Sequence, residues 1–156
     1  MHADRNRQEL IAEVARELRA FGTDDHVMNQ ATAARLGLHP TDMHAGEVLD
    51  RLGPMTIGDL ARAVGVSPGA ATALIDRLEH AGMARRVPDA ANRRRILVEP
   101  TPDGRRRSMA VFGGLIQSAT QLLDRYQDEE LELFVDLIRG LRQLLTDHTE
   151  AVRSGE

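Results

Sequence analysis

A mainly α-helical fold carrying one small β-hairpin is predicted from three observations. Apolar residues recur at spacings of three and four over most of the chain, the mark of amphipathic helices. The interval Met83 to Glu99 instead holds two strand-like runs, Met83 to Val87 and Ile96 to Glu99, around the turn formers Pro88 to Asn92. That interval opens a strongly basic stretch: Met83 to Arg107 holds eight arginines against three acids, in a chain whose net charge is −4. So local an excess, against an acidic remainder, points to a polyanionic partner.

Taken in order, Leu10, Ile11, Val14, Ala15, Leu18 and Phe21 form the stripe of a first helix, from residue 5 to near Gly22. Asp24 or Asp25 can cap a second, running through Leu36 to Gly37. Pro40, with His39, Thr41 or Asp42 as cap, opens a third that contains Met43, Val48, Leu49 and Leu52, and Gly53-Pro54 stops it. Thr56-Ile57-Gly58-Asp59 has the form of a capping box and starts a short helix to Val64. After Gly65-Val66, the pair Ser67-Pro68 is an N-cap followed by proline at the first helical position. Ala71, Leu74, Ile75 and Leu78 then face inward as far as Gly82.

Beyond the hairpin, Thr101-Pro102-Asp103 caps a helix in which Phe112, Ile116, Ala119, Leu123 and Tyr126 alternate steps of four and three. Past a polar break at Gln127-Asp128 so do Leu131, Phe134, Ile138, Leu141 and Leu145. With Leu133, Leu137 and Leu144 beside it, this seam is wider than a lone helix needs, which suggests burial against a second copy of the chain. Val152 to Glu156 is expected to fray.

The short helix to Val64 and the helix from Ser67-Pro68 down to Gly82 have the pattern of a helix-turn-helix. Ala61 lets the helices cross closely and Gly65, four residues on, lets the chain reverse, while Ile57, Leu60, Val64, Leu74 and Leu78 fill the space beneath. The outward face of the second helix carries Gly69, Ala70, Thr72 and Ala73, small enough for close approach to a major groove. Its first amides, after Ser67 and Pro68, can meet a phosphate. Arg77, one turn later, is placed for the DNA backbone. On the hairpin, Arg93 and Arg94 are the candidates for insertion into a narrow minor groove, where negative potential concentrates. Arg85, Arg86, Arg95 and Arg105 to Arg107 are read as phosphate contacts or as internal partners of Asp89, Asp76 and Glu79. Helix-turn-helix followed by hairpin describes a winged helix that reads DNA.

Composition excludes several other classes. The chain lacks cysteine, so disulfides, thiolate metal sites and cysteine redox switches are ruled out. No apolar run approaches the eighteen or so residues of a membrane span, and the polar opening Met1 to Arg7 does not look like a secretion leader; a cytoplasmic, membrane-free protein is expected. No phosphate-binding loop, dinucleotide fingerprint or nucleophile motif occurs, so no enzyme and no cofactor are expected. His39, Asp42 and His44 lie within six residues but lack a second ligand cluster, and helix capping is the preferred reading over metal binding. Met28, Met43, Met109 and Phe112 could line a cavity, although such residues at helical spacing are more often core. No residue set is assigned to a ligand. All basic residues are arginine, which genome composition explains and whose planar fork also suits phosphate and guanine.

At these residues the chain resembles the MarR family of winged-helix transcriptional regulators. The resemblance covers Leu38 to Gly104. It rests on Gly53-Pro54-Met55-Thr56 with Leu60-Ala61, Asp76-Arg77-Leu78-Glu79 with Ala81-Gly82, the wing Asp89 to Arg95, and Thr101-Pro102-Asp103-Gly104. It implies an obligate homodimer joined through the terminal helices, with two reading heads on a pseudo-palindromic double-stranded operator. It also implies, in many members, a small ligand where dimer base meets reading head; a small apolar or aromatic effector is the expected kind. By match to the motif, Ser67 to Ala73 take the base-reading role and Arg93 the wing-tip role. Asn92 stands where such wings usually carry an aspartate, and Pro100 where a leucine is common.

The expected organisation is N-terminal dimerisation helices over 1–38, a winged helix-turn-helix over 39–104 and C-terminal dimerisation helices over 105–156. The expected DNA contacts are Ser67, Pro68, Gly69, Ala70, Thr72, Ala73, Arg77, Arg86, Arg93, Arg94 and Arg95. The expected function is a ligand-responsive repressor. A winged-helix module that binds protein through its acidic remainder, without reading DNA, is the alternative.

Overall fold

The computed structural model describes residues 6–155, so residues 1–5 of the polar opening and Glu156 lie outside the described part. The order of elements is α1 (Arg7–Leu36), α2 (Pro40–Leu52), β1 (Met55–Thr56), α3 (Ile57–Val64), α4 (Pro68–His80), β2 (Ala84–Pro88), β3 (Ile96–Pro100), α5 (Pro102–Leu123) and α6 (Asp128–Ser154). The mainly helical fold with a small sheet is as the sequence predicts.

Three local readings are corrected. The two helices expected over 5–36 are one, α1, capped by the Asn6 side chain accepting from the Gln8 amide. Gly22 costs a helix only about 1 kcal/mol relative to alanine, and long helix-forming stretches on both sides outweigh it. Thr23 and Asp25 also satisfy themselves within the helix: the Thr23 hydroxyl donates to the Arg19 carbonyl at 3.1 Å and Asn29 donates to Asp25 at 3.0 Å. The hairpin is part of a three-stranded antiparallel sheet in the order β1-β3-β2, with Met55 and Thr56 paired to Val98 and Leu97. Two residues carry no alternation, so β1 leaves no periodic signal. At the far end, α6 stays helical through Ser154 instead of fraying from Val152.

Caps follow the sequence elsewhere. His39 Nδ1 accepts from the Thr41 amide at 3.3 Å, Thr56 Oγ1 from Asp59, Ser67 Oγ from Ala70 and Thr101 Oγ1 from Gly104. The Gln127 amide donates to Glu130 at 2.9 Å at the start of α6. Pro100 removes a donor only at the end of the sheet, opposite Ala84, and pairing resumes one residue later where the Thr101 amide donates to the Met83 carbonyl at 3.0 Å.

The chain divides into two compact units after Val111. In the first, Val48 and Leu49 of α2, Leu60 of α3, Leu74, Ile75 and Leu78 of α4 and Val98 of β3 are essentially closed to solvent. Each such side chain contributes about 1.5–3 kcal/mol relative to exposure. Ile57 and Val64 pack against this core while half-buried. The helix-turn-helix thus sits on a core shared by α2, α3, α4 and β3. The second unit, residues 112–156, is the latter part of α5 with α6, and no described residue of α6 is buried within the single chain.

Candidate nucleic-acid interface

The turn between α3 and α4 depends on Gly65, whose φ of 81° lies in the left-handed region that other residues rarely adopt. Its amide closes α3 on the Ala61 carbonyl, and Ala61 is buried where the helices meet. Leu74, Ile75 and Leu78 then fix which side of α4 faces the core, with Ala71 fully buried one turn earlier. The opposite side is left to solvent: Ser67, Pro68, Gly69, Ala70, Thr72 and Ala73 are all exposed, as the sequence reading requires of a groove-facing helix. The Thr72 hydroxyl donates to the Pro68 carbonyl at 3.2 Å.

The wing is built by short polar bonds within the loop 89–95. The Asp89 amide donates to the Arg95 carbonyl at 2.9 Å, and the Asp89 carboxylate accepts from the Ala91 amide. Asn92 accepts twice: its side-chain oxygen from the Arg94 amide at 3.1 Å, and its carbonyl from the Arg95 amide at 2.8 Å. Asparagine therefore keeps the turn-forming acceptor that an aspartate would supply, without the charge.

The eight arginines of the basic stretch fall into distinct sets. Arg85 pairs with Glu99 across the β2–β3 ladder at 2.8 Å. Arg86, half-buried, donates to Asp76 at 2.8 Å and to Glu79, both on α4. Arg95 lies 3.7 Å from Asp59 and 3.9 Å from Asp89. Arg105 lies 3.6 Å from Asp50, and Arg106 pairs with Asp103. Arg107 donates to the Ala81 carbonyl at 2.8 Å and the Leu36 carbonyl at 3.0 Å. Of these eight, all among the described residues, only Arg93 and Arg94 have side chains with neither a carboxylate nor a carbonyl partner, and both are exposed at the wing tip. The structure thus brings the α4 face and the wing tip into the first unit, with uncompensated charge on the tip.

Arg77 and Arg86, both expected to meet DNA, have internal partners. Arg77 grips Asp42 with two bonds of 2.7 and 2.6 Å, and the Asp42 side chain is only 2% exposed against 52% for Arg77. These bonds raise the Arg77 pKa above the usual guanidinium value. Burial works against the charge on Arg86, but the bonds to Asp76 and Glu79 outweigh it and its pKa is likewise raised. The carboxyl of Asp59 is held below its ordinary value of 3.8, chiefly by the Thr56 hydroxyl, with Arg62 and Arg95 assisting against partial desolvation.

Sequence reasoning missed the partnership of Asp42 with Arg77, since 35 residues separate them and a carboxylate near a helix start reads as a cap. It also missed Arg107 as a donor to two helix ends, because carbonyl acceptors carry no side-chain signature. Of the possible metal ligands, His39 caps α2, Asp42 is engaged by Arg77, and His44 Nδ1 lies 3.6 Å from Glu47. Of the residues offered as cavity lining, Met43 is core and Met109 is exposed. Two cavities are lined by other residues. One, about 450 Å³ and almost wholly apolar, is formed in the second unit by Leu122, Leu123, Tyr126, Leu131, Phe134 and Leu137 among others. The second, about 430 Å³ and more polar, lies between the end of α1, the start of α2 and the end of α4.

Comparison with known proteins agrees with this geometry. The HTH-type transcriptional regulator YcgE of Bacillus subtilis is 34% identical over 153 residues, covering 98% of this chain and 99% of the relative. The HTH-type transcriptional repressor YetL of the same organism is 28% identical over 88 residues, 56% of this chain and 53% of that one. A solved MarR family protein from Bacillus stearothermophilus shares the fold with a TM-score of 0.67 at 22% identity, covering 91% of this chain and 99% of its own. The family model of the MarR family matches residues 38–96, which span α2 to the start of β3. Helix-turn-helix, wing and full-length relative together establish that the chain belongs to the MarR family of transcriptional regulators.

Proposed function

We propose that the protein is a homodimeric, sequence-specific repressor that reads a two-fold operator with α4 in the major groove and the wing tip in the flanking minor groove. The observation that supports this most is the selective pairing of the arginines: six of the eight in the basic stretch have internal acceptors, and the two that do not, Arg93 and Arg94, stand at the wing tip. A charge left without a partner in the free protein is what a phosphate or a narrow groove would neutralise. The small exposed residues Gly69, Ala70, Thr72 and Ala73 supply the close approach needed for base edges.

Dimerisation is supported by exposed apolar side chains on both terminal regions. Leu133, Leu144 and Leu145 of α6 are about two-thirds exposed in the single chain, and Phe21 of α1 is 70% exposed. With the two heads on one face, half-sites lie about one helical turn apart, roughly 34–36 Å. A small apolar or aromatic effector would release the operator by binding better to a dimer whose heads are misplaced, and only that differential affinity counts.

Selection of bound fragments from random duplex DNA tests the proposal, with a two-fold consensus as the expected product. On that duplex, affinity should fall steeply with salt, and Arg93→Ala and Arg94→Ala should each shallow the salt slope by about one for every phosphate left unneutralised. A salt-insensitive affinity, or an asymmetric consensus, would overturn it.

A further inference from the structure

The wing and the recognition helix can read one operator together only if the distance between them is held. Strand β2 is an edge strand, paired to β3 alone, so part of its backbone has no partner within the sheet. At Arg86 that need is met from α4: the Arg86 amide donates to Glu79 Oε1 at 2.7 Å. The same carboxylate accepts from the Arg86 guanidinium through its other oxygen, and Asp76, three residues earlier on α4, takes the second guanidinium nitrogen at 2.8 Å. Asp76 and Glu79 therefore lie on one side of the helix and grip one residue of β2, the strand that leads into the wing, by backbone and side chain at once. The grip is half-withdrawn from solvent, with side-chain exposures of 28% for Arg86 and 32% for Glu79. Glu79 accepts through both oxygens and Asp76, 62% exposed, through one, and a guanidinium so engaged has little freedom left for phosphate.

We propose that Arg86 is a positioning residue that sets the angle of the wing on α4 through Glu79 and Asp76, and that it makes no contact with DNA itself. The inference rests on the DNA-reading role proposed above. It explains why an arginine beside the groove-reading surface is paired, whereas Arg93 and Arg94 seven and eight residues on are not.

Two measurements separate the roles. The chain has no cysteine, so spin labels at Ala91→Cys on the wing and Ala73→Cys on α4 report their separation without DNA. In Asp76→Ala/Glu79→Ala the distance distribution should broaden while the thermal transition of the domain remains cooperative. Affinity for the selected operator duplex should then fall roughly tenfold, and adding Arg93→Ala should cost far less than it does in the native background, the non-additivity of coupled sites. Arg86→Lys should broaden the distribution less than the double-alanine variant, because the residue's backbone amide keeps Glu79 while an ammonium cannot hold both carboxylates in that geometry.

An unchanged distance distribution would overturn the clamp. So would affinity that holds or rises when the two carboxylates are removed, since a freed Arg86 would then be serving phosphate. A broadened distribution in a protein whose native form binds no DNA would instead support the clamp and sink the reading of the site it serves.

Discussion

Residue by residue, the arginines of this chain divide by partner more than by position. Arg77 was legible as an exposed cation beside the recognition surface, yet the structure closes it on Asp42, which is almost fully buried. The two ends of that pair are unequal, and substitution should expose the inequality. Removing Arg77 strands a carboxylate away from water, so Arg77→Ala should lower unfolding free energy by about 3 kcal/mol. Removing Asp42 strands only a half-exposed guanidinium, so Asp42→Ala should cost less, about 1 kcal/mol. Urea titration of both variants checks the order, and equal losses would mean that Asp42 gains water when its partner goes. Gly104 makes a different demand. A Cβ there would lie 2.9 Å from the Met83 Cα and overlap the Met83 carbonyl oxygen. The sequence shows the glycine within a recognisable motif, but not the backbone that passes over it.

At the scale of elements, legibility followed the amount of periodic signal. Helices α2 to α4 and the two longer strands announced themselves through caps, prolines and apolar spacing. Strand β1, two residues long, could not, because pairing with Val98 and Leu97 is a tertiary event. Helix α1 misled in the opposite direction, since Gly22 followed by Asp24 and Asp25 looks like a stop and a new cap. In the structure nothing approaches within 4 Å of where a Gly22 Cβ would stand. Gly22→Ala should accordingly stabilise the protein by about 0.5–1 kcal/mol, by improving helix propensity at no steric cost. A rise in the thermal midpoint would support an uninterrupted α1, and a fall would restore the break. For the site, the exposed face of α4 was readable because small residues opposite a buried stripe leave few choices. Of the pairings that join separate elements, Arg86–Glu79 was readable only in part and Arg77–Asp42 not at all.

The whole molecule carries more apolar surface than one copy can hide. In α6, Phe134 and Leu145 of the seam and Leu133, Leu137 and Leu144 beside it are exposed while Leu131, Ile138 and Leu141 are half-buried, and the cavity there in the second unit is lined almost entirely by hydrocarbon and aromatic side chains. A dimer in solution would bury this seam, and charge placed within it should undo the association. Phe134→Asp together with Leu137→Asp should shift sedimentation from dimer toward monomer and weaken operator binding, while Arg93→Ala should leave the oligomeric state untouched. Sedimentation that reports a dimer for the first variant would move the interface elsewhere.

The guanidinium of Arg107 has a thermodynamic consequence for motion. It donates at once, through its two terminal nitrogens, to the carbonyls of Leu36 and Ala81 at the ends of α1 and α4, so these two carbonyls share one guanidinium. Ends that ordinarily loosen independently are thereby made to open as one unit. Amides that need those turns intact should show one opening free energy once their intrinsic exchange rates are divided out, and Arg107→Ala should split that value in two.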